Sequence, residues 1–186
     1  MINVEINKIE LKFLTSNKVF SPMSIDKGTM AMLTLADIKS YDKVLDLGCG
    51  YGVVGIYSSK IVGPQNVVMI DIDDEAIRLA KENVILNEAE GVKIIQSEGF
   101  RNLNEKGFTI ILTNPPYHED FSVPKEFIEK GFNRLQVGGR FMMVTKRKEW
   151  YKNKLDSIFG GCKIFEVGGY FVFSAEKRSE KYAKAK

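Results

Sequence analysis

One histidine and two cysteines are all that the 186 residues hold of the usual nitrogen and sulfur metal ligands. A lone His118 cannot make a metal site. Cys49 and Cys162 are not spaced as a metal knuckle or a redox pair. Two cysteines also give no disulfide framework, so the chain is expected in a reducing compartment, the cytoplasm. No apolar run is long enough to span a bilayer. The opening Met1–Lys8 is polar where a secretory leader would carry an apolar core. Repeats and linker-like stretches are lacking too. Neither charge sign dominates: 27 Lys and Arg against 24 Asp and Glu leave +3, which does not by itself demand a nucleic-acid partner. With 44% hydrophobic residues, the chain can bury a full core without disulfides or metal.

The expected organisation is one domain over residues 1–175, with a strand-turn-strand extension over 1–25, then a basic tail over 176–186. The extension reads as a strand at Leu11–Leu14, a turn at Ser16–Asn17 and a strand at Val19–Phe20. A helix from Lys27 to Asp37 has Asp26 as N-cap. After it, strands at Lys43–Leu47, Asn66–Ile70, Val92–Ile95, Phe108–Leu112 and Arg140–Val144 alternate with helical stripes. One helix starts at Tyr51; others carry Ile77, Ala80, Val84 and Ile85, then Ile128, Phe132 and Leu135, then Tyr151, Leu155, Ile158 and Phe159. This alternation predicts an α/β fold, a doubly wound, Rossmann-like parallel sheet covered on both faces. Lys163–Val167, Gly168-Gly169 and Tyr170–Phe173 predict a closing antiparallel hairpin.

Asp46-Leu47-Gly48-Cys49-Gly50-Tyr51-Gly52 sits where the first strand of that alternation becomes a helix. Glycines there let the backbone approach a ligand at the strand's carboxyl end. A dinucleotide loop spaces its glycines Gly-x-Gly-x-x-Gly. Here the third is one place early, at Gly52, and Val53 holds the dinucleotide position. The Asp46 carboxylate would repel phosphates, yet suits the cationic amine of S-adenosylmethionine (SAM). Asp71, about 20 residues on, is placed for ribose hydroxyls; it fits SAM and NAD alike. Ser97-Glu98-Gly99-Phe100 falls where such a sheet meets adenine, with Glu98 as acceptor and Phe100 packing on the ring. The alternative readings are an exposed acid and a core aromatic.

Asn114-Pro115-Pro116-Tyr117 directly follows the fourth of those strands. The prolines fix an extended turn and remove two N–H donors. The Asn114 side-chain carbonyl and the Pro115 carbonyl then offer two acceptors to one –NH2 group. Pro116 and Tyr117 are expected against the substrate, Tyr117 stacking on a planar base or amide. Two acceptors favour a more tetrahedral amine and stabilise the charge that grows on it during methyl attack. His118 is placed to bond substrate or nearby backbone.

On these residues the chain resembles the class I SAM-dependent methyltransferases. Its Asn-Pro-Pro-Tyr is similar to that of the amino-methyltransferases, and more narrowly of the small-domain ribosomal RNA guanine-N2 enzymes. The narrow mark is Val19-Phe20-Ser21-Pro22 with Asp26-x-Gly28-Thr29. The resemblance implies a seven-stranded sheet whose last strand is antiparallel. It also implies that Phe20 to Thr29 crosses the site, with Phe20 on the substrate and Thr29, Ile72 and Gly99 on SAM. Glu98 stands where many relatives carry Asp, and the bacterial guanine enzymes carry an extra N-terminal domain. Exocyclic adenine N6, cytosine N4 and a protein glutamine amide remain alternative acceptors, and a non-catalytic SAM-binding module remains an alternative of another class. Lys146, Arg147, Lys148, Lys152 and Lys154, with an exposed Trp150 among them and Lys177, Arg178, Lys181, Lys184 and Lys186 in the tail, are expected to hold an RNA backbone. The competing reading is a solvated helix face and a frayed tail. No metal, no membrane and an RNA partner complete the expectation.

Overall fold

The computed structural model describes residues 1–19, 21–116 and 121–183. It begins with a hairpin of β1 (Ile2–Ile6) and β2 (Ile9–Phe13). Ile2, Val4, Ile6, Ile9, Leu11 and Phe13 turn toward the core, and Asn3, Glu5, Glu10 and Lys12 toward solvent. The turn is Asn7–Lys8, with φ of 49° and 68°, a left-handed pair whose twist matches that of the flanking strands. A turn does form at Ser16–Asn17, where the Val19 amide donates to the Ser16 carbonyl at 3.2 Å, but it does not join two strands: the hairpin lies earlier, and Val19 is in no strand.

The chain continues through α1 (Lys27–Leu35), β3 (Val44–Leu47), α2 (Val53–Val62), a 3-10 turn, β4 (Val67–Asp71), α3 (Asp74–Leu86) and β5 (Lys93–Gln96). It then runs through β6 (Phe108–Thr113), α4 (Ser122–Arg134), β7 (Leu135–Thr145), α5 (Glu149–Phe159), β8 (Lys163–Val167) and β9 (Tyr170–Glu176). Seven strands form one sheet in the order β5-β4-β3-β6-β7-β9-β8. The five from β5 to β7 are parallel, and β9 runs against both its neighbours. The strand order reverses between β3 and β6, where a doubly wound sheet opens its crevice.

Strand residues alternate between two cores. Val44, Ile110, Leu112, Met142, Val144 and Val172 face α1, α2, α3 and the hairpin. Leu45, Ile111, Phe141, Met143 and Phe173 face α4 and α5. Leu135 belongs to β7 and not, as its spacing suggested, to the preceding helix; Gly131 and Arg134 already close α4. The second helix starts at Val53 rather than Tyr51, because Gly52 caps it in a left-handed conformation.

Two side-chain amides, Asn83 on α3 and Asn87 at its C-cap, hold the hairpin in place. Asn87 accepts from the Lys12 amide at 3.0 Å and donates to its carbonyl at 2.6 Å. Asn83 does the same for Leu14, at 2.6 and 2.9 Å, and donates also to the Tyr51 carbonyl at 2.9 Å. The side chains thus stand in for a neighbouring strand. At the other end of the chain, Lys177 is buried and donates to the Leu135 carbonyl at 2.9 Å. The Tyr182 ring packs edge-on against Phe132. Among the described residues, no helix is long and apolar enough to cross a membrane, and no cluster of His, Cys, Asp or Glu could hold a metal ion.

Candidate active site

A cavity of about 490 Å³ opens at the carboxyl ends of β3, β4 and β6. Its floor is the glycine loop after β3. The Gly48 and Cys49 amides both donate to the Ile70 carbonyl at 2.9 Å, and the Gly50 amide donates to Asp71 Oδ2 at 2.7 Å. Asp71 Oδ1 accepts from the Asp73 amide at 3.0 Å. Asp46 Oδ2 accepts from the Gly55 amide, in the first turn of α2, at 2.8 Å. The amides that a dinucleotide loop would turn toward phosphate are therefore committed, and a carboxylate holds the helix N-terminus. This arrangement disfavours NAD.

The walls carry charge of one sign. Asp26, Asp46, Asp71, Glu98 and Glu126 line the cavity, and no lysine or arginine does among the described residues. Glu98 is exposed and paired with Arg101, and Glu126 is half-buried and paired with Lys130. Asp46 is 2% exposed. Burial pushes its carboxyl up to about 7, with the Gly55 amide opposing the rise and Asp71 adding to it. The Cys49 thiol is driven well above its usual range by burial first, then by Asp46 and Asp71. Burial, and then Asp26, pushes Tyr51 up to about 12. Leu47, Ile70, Val123 and Phe127 complete an apolar lining. Such a site fits a ligand with a flat apolar ring at one end and positive charge at the other. SAM has both, and the residues present suit it.

The opposite wall is the Asn114 turn. Thr113 Oγ1 donates to the Leu47 carbonyl at 2.7 Å, pinning the end of β6 beside the glycine loop. Asn114 Nδ2 donates to Asp26 Oδ1 at 2.8 Å and to Thr29 Oγ1 at 3.0 Å. Both amide hydrogens are thus spent, and the carbonyl oxygen is what the side chain has left to offer. Asn114, Pro115 and Pro116 all line the cavity, with Ser21, Ile25, Asp26 and Thr29 from the segment before and within α1.

Most of the expected site residues meet here: Thr29, Asp46, Gly48, Gly50, Asp71, Ile72, Glu98, Gly99, Asn114, Pro115 and Pro116. Phe20, Tyr117, His118, Lys184 and Lys186 lie outside the described residues. Gly52 is a correction. It does not line the cavity, and a Cβ on it would meet Ile56, Met69 and Ala80 at 3.1–3.6 Å, so it serves the packing of α2 on β4. Phe100 is a second: it is buried edge-on against Phe127, and Phe127 is the aromatic on the cavity wall. Trp150 is a third: it is half-buried, stacked 4.2 Å from Phe121.

The basic stretch also divides. Lys146, Arg147 and Lys148 are exposed at the end of β7, over the rings of Tyr170, Phe121 and Phe171 at 5.1–5.6 Å. Lys152 and Lys154 are paired with Asp156 and Glu129. Lys177, beside the start of β7, lies at the far end of the sheet from the cavity. From the residues alone Asp26 reads only as a cap; the resemblance places it in the segment that crosses the site but gives it no partner, and Phe127 is passed over because nothing in its local pattern marks it as facing the cavity.

Known proteins share this architecture. An uncharacterised Bacillus subtilis protein is 29% identical over 90% of this chain and 87% of its own length. A ribosomal RNA small subunit methyltransferase C of Psychromonas ingrahamii is 32% identical over 90% of this chain. This chain spans 49% of that relative's length, and about half that of the other ribosomal RNA methyltransferases it matches. A T. thermophilus 16S rRNA N2 methyltransferase, solved in complex with AdoMet (SAM) and guanosine, superposes with a TM-score of 0.80. It is 27% identical and covers 95% of this chain and 50% of its own. A family model, methyltransferase small domain, matches residues 10–174. The chain accordingly belongs to the methyltransferase small domain family of SAM-dependent enzymes.

Proposed function

We propose that the chain transfers a methyl group from SAM to an exocyclic amine of RNA, N2 of a guanine in ribosomal RNA. The observation that carries this reading is Asn114, whose Nδ2 is held by Asp26 and Thr29 at the rim of an acidic cavity. When bound, SAM supplies a methyl group on a positively charged sulfur. Asp46 is buried where it can accept from the cofactor's amine, and Asp71 stands at the end of β4 where ribose hydroxyls fall. Ile72, Glu98 and Gly99 continue that wall toward the adenine, with Phe127 packed on the ring. Thr29 contributes from α1.

The acceptor amine is to be gripped by Asn114 Oδ1 and the Pro115 carbonyl. An exocyclic amine is a weak nucleophile because its lone pair is delocalised into the ring. Two acceptors draw its hydrogens out of the ring plane and stabilise the charge that grows on nitrogen. No strong base is required, since the product cation sheds its proton to solvent. Positioning and electrostatics supply the rate. Pro116, Tyr117, Phe20 and His118 are assigned to the base by their place in the motifs. Lys146 and Arg147, with Lys148, form a cationic rim over aromatic rings, which suits an unstacked RNA strand.

The ribosomal RNA relatives and the guanosine in the T. thermophilus complex favour guanine over the other amines. The test is incubation with methyl-labelled SAM and total RNA, followed by nucleoside analysis. Label in N2-methylguanosine is expected. Label in N6-methyladenosine or N4-methylcytidine would overturn the guanine assignment, label in protein the RNA assignment, and no label the transfer itself.

A further inference from the structure

We propose that Asp26 is a positioning residue that works through Asn114: its carboxylate fixes the Asn114 amide and polarises it, making Oδ1 a stronger acceptor for the substrate amine. The inference rests on the methyl-transfer reading above.

Asp26 does two jobs with one oxygen. Oδ1 accepts from the Thr29 amide at 2.9 Å, which caps α1, and from Asn114 Nδ2 at 2.8 Å. A cap needs only a neutral oxygen, and serine or asparagine caps as well as aspartate. The negative charge is therefore surplus to the helix. Hydrogen-bonded chains polarise one another. A carboxylate on the N–H side of an amide shifts electron density toward its carbonyl oxygen. The charge also sits one amide away from the nitrogen that becomes positive during transfer, where it is favourable.

The surroundings are built to keep the carboxylate in that place. Tyr170, the first residue of β9, points its hydroxyl at Asp26 Oδ2 at 3.4 Å. The Tyr170 ring lies against Gly28, where a Cβ would come within 2.7 Å of the ring and 2.9 Å of Asp26 Oδ1. A side chain at position 28 would thus push the ring and carboxylate apart. Three segments distant in sequence, at 26–29, 114 and 170, converge on one carboxylate, so a helix cap alone does not account for the arrangement.

The test is a double-mutant cycle on the full chain, with kcat, KM for SAM and for RNA, and Tm recorded for each protein. Asp26→Asn keeps a capping oxygen and removes the charge. It is expected to lower kcat about tenfold while both KM values stay within about twofold and Tm is little changed. Asp26→Ser, also a good cap but too short to reach Asn114, is expected to lower kcat further. In an Asn114→Ala background, Asp26→Asn should change kcat no more than about twofold, because its route to the substrate is gone. Wild-type kcat in Asp26→Asn, or an equal loss with and without Asn114, would overturn the proposal. Full activity in Asn114→Ala itself would instead overturn the functional reading beneath it.

Discussion

On the cofactor side, residues 46 to 73 hold themselves together through main-chain amides that donate to the Ile70 carbonyl or to the carboxylates of Asp46 and Asp71. Gly48 and Cys49 hang on the Ile70 carbonyl, Gly50 and the Asp73 amide on Asp71, and Gly55 on Asp46. On the substrate side, the bonds run between side chains of residues far apart: Asn114 to Asp26 and Thr29, and Tyr170 to Asp26. The cofactor half is thus a product of one local βαβ unit, and its acids are oriented by folding alone. The substrate half exists only once α1, β6 and β9 are docked. Side-chain changes there should remove chemistry without unfolding the protein, whereas changes on the cofactor side should register as stability. Asn83, bonded to both Leu14 and the Tyr51 carbonyl, ties the N-terminal hairpin to the cofactor half.

The largest expected effect is on the substrate side. Asn114→Ala should lower kcat by up to about 10³-fold, about 4 kcal/mol, the order found when one preorganised polar group is removed. SAM affinity by calorimetry should stay within a few-fold. Retained turnover would break the contrast between the halves.

A smaller effect is expected on the cofactor side, from the titration of Asp46. Its folded carboxyl holds a proton up to about 7, against an ordinary value of 3.8. Between those values the folded state binds more protons than the unfolded one. The contribution of Asp46 to stability is therefore greatest at low pH and falls as pH rises, and the loss is complete once the folded carboxyl has ionised. Over the interval from about pH 4 to 6 this contributes a fall of roughly 2 kcal/mol, the slope approaching about 1.4 kcal/mol per pH unit once the unfolded carboxyl has ionised. Urea unfolding of the ligand-free protein across that interval measures it, and Asp46→Asn should flatten the curve. Equal pH slopes for the two proteins would remove the buried carboxyl from the account.

The same contrast governs what the sequence makes legible. The sheet, its antiparallel hairpin and the glycine loop are written in periodicity and in spacings of a few residues, and Asp46, Gly48, Gly50 and Asp71 all line the cavity. Gly52 misleads, because spacing does not say which glycine faces a ligand and which faces Met69 and Ala80. The first hairpin is obscured by a turn of Asn7 and Lys8, which lacks the glycine that usually advertises such a turn. Phe100 is adjacent in sequence to the cavity-lining Gly99, yet Phe127 is the aromatic on that wall, because where α4 lies on the sheet depends on the second core as a whole. The i,i+4 pair of Lys152 and Asp156 can be read from spacing, but that of Lys154 and Glu129 cannot. Asp26 shows the limit most clearly: a four-residue window reveals the cap, and 88 residues of chain separate it from the amide it also holds.

The central claim is that Asn114 and Pro115 grip the acceptor amine beside the acidic cofactor cavity. A crystal structure with S-adenosylhomocysteine and guanosine bound tests it most directly. The account predicts the guanine N2 at about 3 Å from both Asn114 Oδ1 and the Pro115 carbonyl oxygen. A guanine whose N2 points away from both, or a cavity filled by the protein's own side chains, would contradict it.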